Sequence, residues 1–364
     1  MNITRIVTAS FLATALVGPA TLVSAETKSW VYGHINLGVA SVNDGVGTNA
    51  ELVDNGHSPS RIGYWVESRQ KQSTLRFNFE TALGLRSSTK VSQTNTPDAW
   101  DWKRTDIRKI DLSWEMDQWG TISVGQGSTA VDGVVQADLS GTSLVTYESV
   151  GDAAAGYQFR TSAGALSGIT VGSASRSFDG ARKGRIRYDT PVFGGGFQVS
   201  GSFGREILKA GVDDDYYDLA LTYKRTLGDF KVDGRVGYGV VDQNGSDVNL
   251  RAGSFSMLHQ PSGMNLTLAT GSENGDRNNY YAKVGIIRNW FAPGTTAMSL
   301  DIFEAEEKVS VGDRSTTVGF GVVQKFDAQK VEAYFGMRKY DYGDTSATDY
   351  QDVYSYMIGA RWKF

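Results

Sequence analysis

Hydrophobic and polar residues alternate with a period of two from Trp30 to Phe364, the mark of strands standing between two different environments. In the clearest run, Leu75, Phe77, Phe79, Thr81, Leu83 and Leu85 share one face. Arg76, Asn78, Glu80, Ala82, Gly84 and Arg86 share the other. At the C-terminus, Tyr354, Tyr356, Ile358, Ala360, Trp362 and Phe364 oppose Ser355, Met357, Gly359, Arg361 and Lys363. Such runs extend over roughly 9–13 residues, beyond the ~5–6 of soluble strands and near the ~9–11 that cross a hydrocarbon core when tilted. Alternation alone fits a soluble sandwich with its apolar faces joined, or a membrane barrel with those faces turned to lipid. Strand length and the pattern of connections favour the barrel.

The connections alternate short and long. Turn-like ones fall at Ser68–Gln72, Asp117–Gln118, Pro191–Gly194, Leu227–Gly228, His259–Ser262, Phe291–Gly294 and Asp327–Gln329. Longer polar ones fall at Val42–Pro59, Ser88–Trp102, Arg205–Asp214, Ala305–Arg314 and Tyr342–Gln351. This asymmetry is that of a bacterial barrel, with short periplasmic turns and long extracellular loops. Sixteen strands are predicted, at 30–41, 60–67, 73–87, 103–116, 119–127, 182–190, 195–204, 215–226, 229–241, 248–258, 263–272, 279–290, 295–304, 315–326, 330–341 and 352–364. The fold class is therefore all-β, a transmembrane antiparallel barrel with no edge left open in lipid.

One connection is far too long for a simple loop, Ser128 to Ala181, 54 residues. Weak alternation at Tyr157–Ser162 and Ile169–Ser173 makes residues 153–175 either part of this loop or an extra hairpin, giving eighteen strands. Short and poorly apolar outward faces favour an in-folded loop.

Composition narrows the class. The chain of 364 residues has 43 glycines, 6 prolines, 11% aromatic residues, a formal charge of −4 and no cysteine. Disorder, collagen, disulfide frameworks and cysteine-based zinc sites are excluded, and no global basic footprint for nucleic acid exists. Arg5, the apolar run Ile6–Val17 and Val23-Ser24-Ala25 form a secretory signal peptide cleaved after Ala25, leaving residues 26–364 as the barrel.

The chain resembles the general porins of Gram-negative outer membranes. Val31-Tyr32-Gly33-His34-Ile35-Asn36-Leu37-Gly38 looks like the family's first strand, and Ser60-Arg61-Ile62-Gly63 like its second. Gly120-Thr121-Ile122-Ser123-Val124-Gly125-Gln126 resembles the fifth, although the family often has Arg at the place of Gln126. Arg187-Tyr188-Asp189-Thr190-Pro191 and Phe193-Gly194-Gly195 resemble the strand and turn after the pore loop, and a terminal Phe364 resembles the signal read by barrel-insertion machinery. The resemblance implies a homotrimer in outer-membrane lipid and lipopolysaccharide. It implies one water-filled pore per subunit for small hydrophilic solutes and ions, narrowed by the third long loop, 128–181.

Such a channel needs no catalytic group, metal or cofactor. It needs a charged constriction, where a narrow path strengthens the field on a passing ion. The resemblance implies a basic row on the wall facing acids on the loop. Parity puts Arg61, Arg76, Lys109, Arg185 and Arg187 on inward faces. Arg108 shares parity with the outward Ile110 and is expected near a rim. The loop offers Asp132, Asp138, Glu148 and Asp152. Tyr216, Tyr217, Tyr280, Tyr281, Trp290, Phe291, Tyr354, Trp362 and Phe364 are expected to form interfacial girdles. His34, His57 and His259 are too scattered for catalysis, and Asp213-Asp214-Asp215 and Glu306-Glu307 read as solvated acidic loops. Three other functions compete. They are a solute-specific channel, an outer-membrane hydrolase, which the histidines do not support, and a secreted soluble β-protein.

Overall fold

The computed structural model describes residues 26–243 and 245–364. The expected signal peptide lies outside the described residues. The strands, in chain order, begin with β1 (Glu26–Asn43), β2 (Thr48–Asp54), β3 (Arg61–Arg69), β4 (Ser73–Ala82), β5 (Ile107–Met116) and β6 (Gly120–Ser128). A short pair follows, β7 (Gln158–Arg160) and β8 (Leu166–Thr170). Then come β9 (Arg182–Asp189), β10 (Phe197–Arg205), β11 (Asp215–Leu227), β12 (Phe230–Asp242), β13 (Asp247–His259) and β14 (Met264–Glu273). The chain ends with β15 (Arg277–Phe291), β16 (Gly294–Glu306), β17 (Arg314–Phe326), β18 (Val331–Gly343) and β19 (Val353–Lys363).

Each wall strand pairs antiparallel with its neighbour, and β1 pairs with β19, which closes the sheet. The closure ends with Phe364, whose backbone N–H and C=O both bond Gly33 at 3.2 Å. On its other flank β1 pairs first with β3, from Glu26 to His34, and then with β2, from Leu37 to Asn43. Thus β2 and β3 occupy one wall position, interrupted by residues 55–60, and the barrel has sixteen positions. The β7–β8 pair forms a separate two-stranded sheet, so residues 153–175 add no wall strand.

Burial is inverted relative to a soluble sheet. Outward apolar residues such as Leu112, Trp114, Val124, Leu219, Val284 and Ile358 are exposed, while Asn78, Ser256, Thr267, Lys283, Asp301, Thr317 and Arg338 are buried. An apolar exterior around a polar interior suits lipid outside and water inside. Of the aromatic girdle, Tyr217, Tyr280, Trp290, Phe291, Tyr354, Trp362 and Phe364 are exposed. Tyr281 instead turns inward and donates to Asp301 at 2.9 Å, because adjacent residues of a strand point to opposite faces. For the same reason Tyr216 sits under the Lys183 ammonium, 4.4 Å from the ring centre.

Two expected spans change. The third predicted strand, 73–87, stops at Ala82, where the chain leaves the wall. Gly84 takes φ +69°, and a side chain there would lie 2.6 Å from the Trp102 backbone, so only glycine permits this bend. Within the long stretch 42–59, residues 48–54 are ordered as β2 and lengthen the wall.

Candidate functional site

The 129–181 segment runs around the inner face of the wall in strand order. The Ala130 N–H donates to Ser202 Oγ of β10 at 2.8 Å, and Arg235 of β12 donates to the Gly133 carbonyl at 2.7 Å. Ala137 and Leu139 N–H groups donate to Ser254 and Ser256 of β13, at 3.0 and 2.9 Å. The Lys283 ammonium of β15 holds Asp138 at 2.6 Å and the Thr146 carbonyl at 3.0 Å. Ser299 of β16 bonds Thr142 and Thr146 at 2.8 and 2.6 Å. On β18, Arg338 donates to the carbonyls of Val145 and Tyr147, and Tyr340 to that of Val150.

Apolar contacts follow the same track. Leu144, Val145, Ala153, Tyr157, Phe159 and Val171 pack against Val42, Val53, Val323, Tyr334, Tyr340, Tyr342 and Met357 of the wall. Wall glycines make room for them. A Cβ at Gly321 or Gly336 would come within 2.6 Å of Val145.

What stays open is a cleft on the opposite side. One cavity of about 370 Å³ is lined by Thr89, Lys90, Arg108, Gln126, Arg182 and Glu206, among others. A second, of about 450 Å³, is lined by Thr89, Asp152, Arg176 and Asp179, among others. Thr89 borders both.

The candidate cations divide into two groups. Arg76 is held between Glu67 and Glu115. Arg185 makes a two-pronged bond to Asp111 at 2.8 and 2.9 Å, and Arg187 binds Asp189 at 2.7 Å. These three are neutralised within the wall. Arg61 is 3.9 Å from Glu80 and donates to the Pro59 carbonyl at 3.1 Å. Lys109 stands opposite Glu80 in the β4–β5 register.

Sequence parity missed Arg108. A β-bulge shifts the register between Glu80 and Thr81, so Glu80 pairs with Lys109 and Thr81 with Ile107. The extra residue, Arg108, leaves the outward row, and its Nε donates to Glu80 at 2.5 Å. Bulges of this kind leave no trace in alternation. Arg182 was also missed, at the strand end beside the loop. Its guanidinium is 3.8 Å from Asp132. It stands on the face of Gln126, one step along the adjacent strand, since Gln126 pairs with Gly184 and Ser128 with Arg182. Arg61, Arg108, Lys109 and Arg182 thus share Glu80 and Asp132.

The loop acids also divide. Asp138 is spent on Lys283. Glu148 is buried, accepts from Ser149 at 2.7 Å and keeps its other oxygen unpartnered. Burial pushes its carboxyl up to about 7. Asp152 is raised too, again by burial, but its carboxylate is a third exposed and 3.9 Å from the His57 ring. Asp179, not singled out from sequence, accepts from the Gly133 N–H at 3.0 Å and from Gln136 at 2.6 Å. Burial first, then the negative charge of Glu148, raises it to about 7.

A family model described as Gram-negative porin matches residues 9–364. No curated protein matches the sequence. Among solved structures, the fold is similar to an anion-selective porin from Comamonas acidovorans, 14% identical, with a TM-score of 0.62 over 93% of this chain and 100% of that one. It is similar to the trimer form of OmpT from Vibrio cholerae, 16% identical, with a TM-score of 0.55 over 93% and 99% of the two chains. It is also similar to OmpF of Salmonella typhi in complex with daunomycin, 13% identical, with a TM-score of 0.57 over 93% and 98%.

Proposed function

The chain belongs to the Gram-negative porins, outer-membrane β-barrel channels and not enzymes, and from that premise we propose a general diffusion porin with a mild preference for anions. Small hydrophilic solutes and ions cross passively through the cleft between the 129–181 loop and the wall of β3, β5 and β9. The observation that carries this is the charge imbalance across that cleft. Four wall cations, Arg61, Arg108, Lys109 and Arg182, stand around Glu80 and Asp132, and the same cavity adds Lys90, Lys183 and Lys209 against Asp54, Asp106 and Glu206, which leaves cations in excess. On the loop, Asp138 is neutralised and Glu148 is buried, while Asp152 and Asp179 border the second cavity. A positive excess in a narrow, low-dielectric passage raises the local concentration of anions. The anion-selective porin among the similar folds supports the same sign.

The working unit is a homotrimer, a reading supported by the trimer form of the Vibrio cholerae protein. The N-terminal 25 residues are an export signal, and the barrel sits in lipid and lipopolysaccharide. The test is single-channel recording in a planar bilayer with a salt gradient. Conductance in steps of three, with a reversal potential of anionic sign, is expected. Folded protein that gives no conductance would overturn the open pore, and saturable block of the current by one solute would replace it with a solute-specific channel.

A further inference from the structure

The long loop is not alone in the lumen. The interruption between β2 and β3 turns inward, and so does the connection from β4 to β5. Asp54 N–H donates to the Arg86 carbonyl at 2.6 Å and Ser88 N–H returns to the Asp54 carbonyl at 3.0 Å, so residues 86–88 run along the edge of β2 at its end. The Gly56 N–H then donates to Ser88 Oγ at 3.0 Å. Ser58, in the same inward stretch, accepts from Arg361 at 3.0 Å, and the Asn55 amide reaches the Leu144 carbonyl at 2.8 Å.

This second inward layer grips the long loop from the cleft side. Ser88 Oγ donates to the Asp152 carbonyl at 2.6 Å. Gln93 exchanges two bonds with the Gln158 backbone, at 2.6 and 3.0 Å. Val91 is buried in the same apolar cluster as Leu144, Ala153 and Tyr157. Between these anchors the chain makes a tight turn, with Lys90 N–H donating to the Ser87 carbonyl at 3.0 Å and Ser87 Oγ bonding Thr89 Oγ1 at 2.9 Å. The turn carries Thr89 to the junction of the two cavities and an exposed Lys90 to the edge of the larger cluster of cations.

We propose that the β4–β5 connection is a second constriction element, and that Thr89 and Lys90 help decide which solutes pass. Thr89 sets the width where the acidic and basic halves of the cleft meet. Lys90 extends the basic row into the path from a side the long loop does not reach, and so favours carboxylate- or phosphate-bearing solutes. The inference rests on the reading of the 129–181 loop as the opposite lip of the constriction.

The chain has no cysteine, so single introduced thiols report cleanly. The experiment compares full-length Thr89→Cys, Asp152→Cys and Ser346→Cys, each folded, treated with a bulky cationic methanethiosulfonate and recorded in bilayers. Ser346 lies exposed on the connection between β18 and β19 and serves as the neutral site. Modification of Thr89→Cys is expected to lower unitary conductance by about half or more, as obstruction of a narrow filter does, while Ser346→Cys stays unchanged. Lys90→Glu is expected to shift the anion-to-cation permeability ratio about twofold toward cations. Unchanged conductance of modified Thr89→Cys, beside a block at Asp152→Cys, would overturn this proposal and leave the long-loop reading standing. Failure of Thr89→Cys to react in the folded protein would overturn it as well. Unchanged conductance at both cysteines would overturn the long-loop constriction itself.

Discussion

The two halves of the inner wall use the same side chains for opposite ends. On β15 to β18, Lys283 and Arg338 each close on one carboxylate and are shut off from water. Arg338 and Asp301 bond at 2.9 and 3.1 Å with side chains 1% and 0% exposed, and Lys283 and Asp138 meet at 2.6 Å. On β3, β5 and β9, cations outnumber their partners and keep contact with the cleft, with Arg61 18% and Arg182 34% exposed. A buried, satisfied ion pair carries almost no field outward, whereas a partly hydrated, uncompensated one does. Inward parity does not distinguish a paired cation from a free one: Arg76, Arg185 and Arg187 are closed on carboxylates within the wall, while Arg61 is 3.9 Å from Glu80 and Lys109 forms no salt bridge among the described residues.

The largest expected effect comes from breaking the anchoring half. Arg338→Leu leaves Asp301 buried without its partner, a loss of about 3–5 kcal/mol, and frees the Val145 and Tyr147 carbonyls. The variant should melt well below the parent and show noisy, enlarged conductance as the loop leaves the wall. Adding Asp301→Leu should recover part of the stability. By contrast, Arg182→Ala should change the melt by less than about 1 kcal/mol, because its pair with Asp132 is long, at 3.8 Å, and carries no hydrogen bond. A thermal melt of the folded protein read beside bilayer traces checks all three.

Next in size is the sign of selectivity. Arg108→Glu with Arg182→Glu replaces two cations by two anions at the basic lip. A unit charge about 8 Å from the ion contributes about 2 kcal/mol at an effective dielectric near 20. The double variant should therefore reverse the reversal potential under a salt gradient. The same exchange at Arg185, already closed on Asp111, should instead disturb folding. If the double variant kept its anionic sign, the division between the two halves would fail.

The barrel was legible because alternation, strand length and turn spacing all respond to the same lipid–water boundary. The glycine- and charge-rich inward faces need not be read individually to see it. What escaped were places where the chain leaves that pattern. The bulge that turns Arg108 inward is a one-residue register shift, invisible to period-two counting. The alternation at Leu83 and Leu85 continues past the end of β4, because Gly84 bends a chain whose composition still reads as strand. Among the loop acids, Asp138 and Asp152 could not be ranked, since one is neutralised by a lysine 145 positions away and the other is not. Asp179 gave no signal at all. Its position beside Gly133 comes from the return of the long loop on itself, where Gly180 N–H meets the Val131 carbonyl.

A smaller effect is expected from pH. Glu148 and Asp179, held near 7 by burial, are neutral at pH 5 and ionised at pH 8, and Asp152 shifts in the same direction. Lys308, on the connection between β16 and β17, is lowered to about 6 by burial and by Arg176, so it loses its charge over the same window. The new carboxylate charges make the passage less positive as pH rises. Anion preference should fall from pH 5 to pH 8, and Glu148→Gln with Asp179→Asn should flatten most of that slope. Stability follows the same sign. Carboxyls with raised values favour the folded state at low pH and cost stability as pH rises from the ordinary carboxylate range to about 7, and Lys308, being lowered, acts in the opposite direction. A reversal potential that does not move between pH 5 and pH 8 would separate these acids from the ion path.

The smallest effect probes the anchoring half without touching a charge. Ser299 bonds Thr142 at 2.8 Å and Thr146 at 2.6 Å, and both threonines are fully buried. Ser299→Ala removes those bonds and leaves the two hydroxyls to find other partners, a cost of about 1–3 kcal/mol. No charge moves, and the site lies behind the loop, away from Arg61, Arg108 and Arg182. The melt should fall slightly and the reversal potential should stay at the parental value. If Ser299→Ala shifted selectivity as strongly as an arginine exchange, the loop would be transmitting its position to the ion path. The wall that holds the loop would then share in the selectivity now assigned to the wall opposite.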